Sequence, residues 1–186
     1  DFGEISNFPL PNDMLELIDL GFEIIPEITE MIAETSENLF EEISYEMNEI
    51  TILAPIEKPR KNIFGIGLNY TEHVAESART LDTTGKLPQK PIIFSKPPTT
   101  VTGTNTAIIK NTKLTAQLDW EVELAVVIGK KASYVPEKEA AAYIAGYCLH
   151  NDYSERAFQL ERGGQWVKGK SCDTFAPLGP FLALAE

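Results

Sequence analysis

The sequence is short of cysteine and histidine, and it lacks long apolar runs. Two cysteines, Cys148 and Cys172, form no C-x-x-C pair, which disfavours a disulfide framework and predicts a reducing, cytoplasmic location. With only two histidines as well, the chain is a poor candidate for a zinc site. No apolar run is long enough to cross a bilayer, and the first residues show no signal-peptide pattern. We therefore expect no membrane partner.

Basic residues are also scarce, and the first 57 residues have none. The chain holds 28 Asp and Glu against 16 Lys and Arg, a formal net charge of −12. This charge argues against nucleic acid as a partner. Residues 1–57 contain 15 acidic residues, and Pro55 and Pro59 predict a linker at their end. We predict an acidic N-terminal part, 1–57, followed by a main part, 58–186.

The acidic part carries apolar residues at helical spacing. Leu15 and Ile18 follow a potential helix cap at Asn12 or Asp13, and a second pattern runs through residues 27–47. We interpret this part as a small helical element that packs on the main part with a solvated acidic face. A dedicated acidic binding surface is the alternative.

The main part is predicted to be mostly β. Short apolar runs bounded by turn residues predict strands at residues 62–67, 91–96, 106–110 and 147–150. Residues 136–146 predict a helix that ends near Gly146. One helix among several strands, without a regular βαβ order, indicates a mixed α/β architecture that is mainly β.

The strand predicted over residues 118–127 carries the best candidates for chemistry. Its period of two places Asp119, Glu121 and Glu123 on one face. Neighbouring carboxylates repel unless they are solvated, protonated or bridged by a cation, so an exposed polar face is the alternative to a metal site. Asp152 ends another predicted strand and could add a third carboxylate. Glu121, Glu123 and Asp152 would suit a hard ion such as Mg²⁺, Mn²⁺ or Ca²⁺.

Three more residues are candidates for catalysis. His73 and Glu76 would share a face if their segment is helical, so that the glutamate could orient the imidazole as a general base. A surface pair is the alternative. Lys170 could stabilise an enolate or oxyanion. When that residue is considered alone, a solvated lysine is the favoured interpretation. We interpret His150 as a satisfied histidine at a strand end.

Five segments, taken in order, resemble the fumarylacetoacetate hydrolase (FAH) superfamily. These segments are residues 67–76, 91–96, 118–129, 151–159 and 169–171. The resemblance covers about residues 60–182. It implies a β-roll, in which a sheet wraps around itself, and Mg²⁺ or Mn²⁺ held by Glu121, Glu123 and Asp152.

The resemblance also implies a reaction. The substrates would be 2-oxo acids, such as acylpyruvates and other 2,4-dioxo acids. His73 and Glu76 would lie on a lid segment and activate water, which attacks the distal carbonyl and cleaves the C–C bond. Lys170 would stabilise the resulting enolate. Further substrate-binding residues would be Tyr70, Arg156 and Gln159. Members are commonly dimers, so a homodimer is expected.

The reaction subtype stays open at this point. Residues 161–179 resemble members that act on 2,4-diketo-3-deoxy sugar acids, or ureidoglycolate lyases. The same scaffold hosts oxaloacetate decarboxylases and dienedioate isomerases, and fold likeness does not choose among them. The superfamily's catalytic domain continues past the position of Glu186, so we expect the catalytic domain to be truncated here. A non-catalytic fragment is therefore a further alternative.

Overall fold

The computed structural model describes residues 10–70, 88–114 and 116–185. The predicted catalytic pair, His73 and Glu76, lies outside these residues. Within them, no helix combines the length and apolarity that a membrane span requires.

The acidic part is helical, as predicted, with three short α-helices where two helical segments were expected. They are α1 (Met14–Leu20), α2 (Ile25–Glu34) and α3 (Glu37–Ile43). Asp13 caps α1, because its side chain accepts a hydrogen bond from the backbone N–H of Glu16 at 2.9 Å. Ile18 of α1 is buried against Ile56, near the end of the acidic part, and against Ala145 of the main part. Residues 36–51 are exposed throughout, so α1 rather than α3 anchors the acidic part.

The main part contains eight strands and two further short α-helices among the described residues. The strands are β1 (Ile63–Gly67), β2 (Ile92–Lys96), β3 (Val101–Thr102), β4 (Leu118–Asp119), β5 (Val122–Ile128), β6 (Ile144–Asn151), β7 (Ser154–Glu155) and β8 (Ala176–Leu184). The helices are α4 (Arg156–Leu160) and α5 (Val167–Lys170). Three sheets result, with the strand orders β1-β2, β3-β8-β6-β5 and β4-β7. The mixed α/β, mainly β class is thereby confirmed.

Two local predictions are wrong, and both errors arise from tertiary contacts. Residues 106–110 form no strand, because no strand among the described residues pairs with them; instead the backbone N–H of Ile109 donates to the Thr174 hydroxyl at 2.8 Å. The helix predicted over 136–146 is a 3₁₀ helix that covers only Glu137–Tyr143. Gly146 lies inside β6, where an added Cβ would come within 2.2 Å of the carbonyl oxygen of Ala183. It permits close strand packing rather than ending a helix.

The segment predicted as one strand, 118–127, is divided in two. Its first part, β4, pairs with β7, whereas its second part, β5, pairs with β6. Trp120 and Glu121 lie between the two strands, and both backbone groups of Glu121 contact the end of β6. Its N–H donates to the Asn151 side chain at 3.2 Å, and its carbonyl accepts from the Asp152 N–H at 2.9 Å. The change of partner thus ties Glu121 to the end of β6.

The two faces of the four-stranded sheet differ. One face holds a small core in which Ala54, Cys148 and Leu178 are buried. On the other face, β5 exposes an apolar row. That row consists of Val122, Leu124, Val126 and Ile128. Glu123 lies on the inward-facing side of β5, between the core and residues 120–121, where the pairing partner changes.

Candidate metal centre

Three predicted metal ligands converge at the ends of β5 and β6. Each of Glu121, Glu123 and Asp152 offers one carboxylate oxygen within 4.8 Å of the other two. The register of the strands explains this, because Val122 pairs with Asn151 and Asp152 follows directly. Asp152 is 1% exposed, and the two glutamates are half-buried. The proximity of Asp152 to the glutamates, which sequence spacing could only suggest, is therefore a feature of the structure.

Lys170 lies inside this cluster. Its Nζ donates to Glu121 Oε2 at 2.8 Å and to Asp152 Oδ2 at 2.6 Å, and the residue is 1% exposed. The alternative of a solvated lysine is therefore wrong. Helix α5 places Lys170 here because Gly169 packs against the backbone of Glu155 and Gln159, where no side chain would fit.

Sequence reasoning missed a second buried lysine, Lys96 of β2. Its Nζ lies 2.5 Å from Asp152 Oδ1 and 3.1 Å from the Tyr153 carbonyl oxygen. Burial lowers the pKa of Lys96, while Asp152 opposes that change. Its position in the sequence could have indicated the buried ion pair, because a lone charge in an otherwise apolar strand needs a buried partner. Asp152 thus accepts from a lysine at each of its two oxygens.

Arg156 organises the other side of Glu121. Its Nη2 lies 2.6 Å from Glu121 Oε1 and 2.7 Å from Asp119 Oδ2, and its Nη1 donates to Gln159 at 2.9 Å. Asp119 is consequently paired with Arg156 rather than grouped with the three carboxylates. Gln159 is 3% exposed beneath the guanidinium. Tyr70 is 60% exposed, and no hydrogen bond within the described residues joins it to the cluster.

The acidic residues of the cluster differ in their affinity for protons. Burial raises the pKa of Glu123 to about 7, and the charges of Asp152 and Glu121 add to this effect. Burial alone would also raise the pKa of Asp152, but Lys170 and Lys96 together lower it. Asp152 is therefore held ionised, whereas Glu123 lacks a cation of its own.

A divalent cation fits this set of donors. None of the described residues donates a hydrogen bond to the half-buried Glu123 side chain, so its negative charge is poorly compensated. Three carboxylate oxygens that face one point are the ligands that hard cations such as Mg²⁺, Mn²⁺ and Ca²⁺ prefer. A bound cation would also relieve the repulsion that raises the pKa of Glu123.

His150 lies beside the cluster. It is 5% exposed, and its Nδ1 lies 3.0 Å from the Pro177 carbonyl oxygen. Its Nε2 is buried, and no described residue pairs with it. Among the described residues, the predicted hydrogen-bond partner is therefore found for one of its two nitrogens. Burial lowers the pKa of His150, so the ring is neutral near pH 7.

A mostly apolar cavity of about 510 Å³ adjoins the cluster, between the β1-β2 hairpin and the start of α5. Its wall includes Phe94 and Trp166, whose ring centroids are 5.8 Å apart. Lys170 Nζ lies 4.8 Å from the centre of the Phe94 ring. Phe94 therefore separates the cavity from the charged cluster.

Comparison with known proteins agrees with this fold. Residues 62–186 match the family described as "Fumarylacetoacetate (FAA) hydrolase C-terminal". The chain belongs to this family. The resemblance of its five segments to the FAH superfamily is thereby confirmed.

Relatives within the family include hydrolases and isomerases. A Burkholderia cenocepacia protein, provisionally named a hydrolase, is 49% identical over 66% of this chain and 41% of its own length. The fumarylacetoacetate hydrolase of Exiguobacterium antarcticum is 29% identical, with a TM-score of 0.69 over 94% of this chain and 56% of that one. A 2-hydroxyhepta-2,4-diene-1,7-dioate isomerase of Mycobacterium marinum is 32% identical, with a TM-score of 0.60 over 75% of this chain and 48% of that one. The chain therefore spans about half the length of these relatives.

Proposed function

We propose that this chain forms part of a metal-dependent hydrolase that cleaves a C–C bond in 2,4-dioxo acids of the acylpyruvate type. One observation carries the proposal: the oxygens of Glu121, Glu123 and Asp152 converge within 4.8 Å. Because the chain spans about half of its relatives, the proposal concerns the activity of the whole protein.

Mg²⁺ or Mn²⁺ bound by the three carboxylates would supply a Lewis acid for the oxygens of a 2-oxo acid. Basic residues of the chain fix the positions of the carboxylates. Lys96 and Lys170 fix both oxygens of Asp152, while Arg156 fixes Glu121. An ammonium group has three hydrogens, and Lys170 uses two of them on carboxylates. The third can donate to an enolate oxygen of the substrate.

Water activation belongs to His73 and Glu76 in this proposal. The support for these roles is their place in the segment that resembles the superfamily, since both residues lie outside the described structure. A glutamate three residues from a histidine can orient the imidazole as a general base towards water. Attack of that water on the distal carbonyl would release a carboxylic acid and the enolate of a 2-oxo acid.

Isomerisation of a 2-hydroxydienedioate is a second candidate. The observation in its favour is that neighbouring structures carry isomerase names, including the proteins of Mycobacterium marinum and Mycobacterium smegmatis. Product analysis separates the two reactions. Hydrolysis yields two acids from one substrate, whereas isomerisation yields one product of unchanged mass.

A thermal-shift titration tests the metal site itself. Mg²⁺ or Mn²⁺, with and without oxalate as a mimic of the pyruvate enolate, should raise the melting temperature of the chain. A ligand at 100 times its Kd adds about 2.7 kcal/mol to the free energy of unfolding. The double variant Glu121→Ala, Glu123→Ala should lose the shift.

The matched control replaces two exposed acids far from the cluster, Glu137→Ala and Glu139→Ala, and should keep the shift. A shift that survives in the cluster variant would place the cation elsewhere. A wild-type chain that unfolds cooperatively without any metal-dependent shift would refute a complete metal site in this chain and favour the non-catalytic fragment.

A further inference from the structure

His150 and Glu123 are direct partners across the β5-β6 pair. Directly opposed residues in an antiparallel pair project from the same face, with Cβ atoms about 4.5–5.5 Å apart. His150 is buried and Glu123 is half-buried, so both side chains lie on the inward face of the sheet. The proposed metal ligand therefore has a histidine as its immediate neighbour.

The imidazole has a fixed tautomer and a fixed direction. A carbonyl oxygen can only accept a hydrogen bond, so Nδ1 donates its hydrogen to Pro177 of β8 at 3.0 Å. In a neutral ring Nε2 then carries the lone pair. The two nitrogens point to diverging sides of the ring, so Nε2 faces away from the Pro177 carbonyl of β8. This nitrogen is the buried one without a partner among the described residues.

When a cation is bound and Glu123 is ionised, Nε2 and the Glu123 carboxylate are both acceptors, so they cannot bond to each other directly. The two nearest ammonium groups, those of Lys96 and Lys170, donate to Asp152. A molecule with two donors is needed to satisfy both acceptors at once, and water is the smallest one.

We propose that His150 is a positioning residue of the metal centre: its Nε2 accepts a hydrogen bond from a water molecule that donates its other hydrogen to Glu123. The water fixes the orientation of the Glu123 carboxylate towards the cation. This inference rests on the proposed metal site, and it concerns a residue outside the three ligands. Outer partners of this kind change metal affinity by about 10–100-fold when they are removed.

Two substitutions distinguish the roles of the two ring nitrogens of His150. His150→Asn keeps an amide near the position of Nδ1, which can still donate to Pro177, but it leaves no acceptor at the position of Nε2. His150→Gln does the reverse, because its amide reaches the position of Nε2 and gives up the Pro177 hydrogen bond. Titration of the 186-residue chain with Mn²⁺, followed by electron paramagnetic resonance, gives the Kd of each variant. The melting temperature without metal is recorded for each.

His150→Asn should bind Mn²⁺ about 10-fold more weakly than the wild type, and His150→Gln should stay within about 3-fold. The asparagine variant should nevertheless be no less stable than the glutamine variant without metal. Equal Mn²⁺ affinities in the two variants would overturn the role of His150, because a purely structural histidine does not distinguish the nitrogens in this way. Absence of Mn²⁺ binding by the wild type would instead overturn the metal centre and this inference with it.

Discussion

Glu123 and Asp152 are neighbours in one cluster, yet their surroundings move their pKa values in opposite directions. Asp152 is the more deeply buried residue, and two lysines hold it ionised. Glu123 is less buried but lacks such a partner, so burial and two like charges raise its pKa to about 7. The pairing of charges, rather than depth, therefore decides which carboxylate keeps its proton.

Glu123 should make the metal-free chain less stable as the pH rises from about 4.5 to about 7. The folded state binds this proton more tightly than the unfolded state, so the free energy of unfolding falls across that window. Glu123→Gln should remove the contribution and stabilise the chain at pH 7.5 by at most about 3 kcal/mol. Urea unfolding in EDTA at pH 5 and pH 7.5 measures it. Parallel pH profiles for the two proteins would contradict the raised pKa.

Lys96→Met should destabilise the metal-free chain, because Asp152 would keep a buried charge with one donor fewer. Removing one partner of a buried ion pair costs about 3–5 kcal/mol. Lys131→Met, at an exposed position, is the control and should change the free energy of unfolding by less than about 0.5 kcal/mol. Urea unfolding at pH 7.5 compares them. Equal stability of the two variants would show that Lys170 alone neutralises Asp152.

At the scale of elements, the site depends on how short segments meet. The change of pairing partner between β4 and β5 holds Glu121 at the end of β6, and α5 brings Lys170 to it. Helix α5 approaches through Gly169, where an added Cβ would lie 2.5 Å from the Glu155 carbonyl oxygen. The contact is with backbone, which cannot rotate away.

Gly169→Ala should therefore push α5 from β7 and lower the free energy of unfolding by about 1–3 kcal/mol. Because Lys170 follows directly, the same variant should bind Mn²⁺ more weakly. Val167→Ala, at an exposed position of the same helix, is the control for helix content. Calorimetry with and without Mn²⁺ measures both the stability and the Mn²⁺ binding of each variant. An alanine variant with unchanged stability would mean that α5 moves without cost.

At the scale of the whole molecule, the outer face of the four-stranded sheet is apolar and exposed. Edge strand β5 exposes four apolar side chains, and Leu149 beside it is 59% exposed. Exposed apolar edges favour pairing with another chain. The expected homodimer remains a prediction, and this face gives it a direct test.

The chain should self-associate with increasing concentration, and Leu124→Lys together with Val126→Lys should abolish the association. Both positions lie on the exposed face, so the substitutions remove no buried contact. Analytical ultracentrifugation over a range of concentrations measures the effect, with Leu53→Lys as a control at an exposed apolar residue elsewhere. Association that persists in the double variant would assign it to another surface.

The sequence predicted those parts of the structure that depend on local patterns. Helix α1 followed from its cap and spacing, and Glu121 and Glu123 followed from alternation along one segment. Asp152 could be proposed only from its position after a strand, because its proximity depends on the register of β5 against β6. The role of Lys96 depends on a residue 56 positions away. Gly146 was misplaced for the same reason, since Ala183 lies on a distant strand.

The lysine contacts have a consequence for kinetics. They join residues 56 and 49 positions apart, and such contacts form only after the distant segments that carry them have come together. A cation that recognises the finished cluster would bind the native state and not the transition state for folding. It would therefore lengthen the lifetime of the folded chain and leave its refolding rate unchanged.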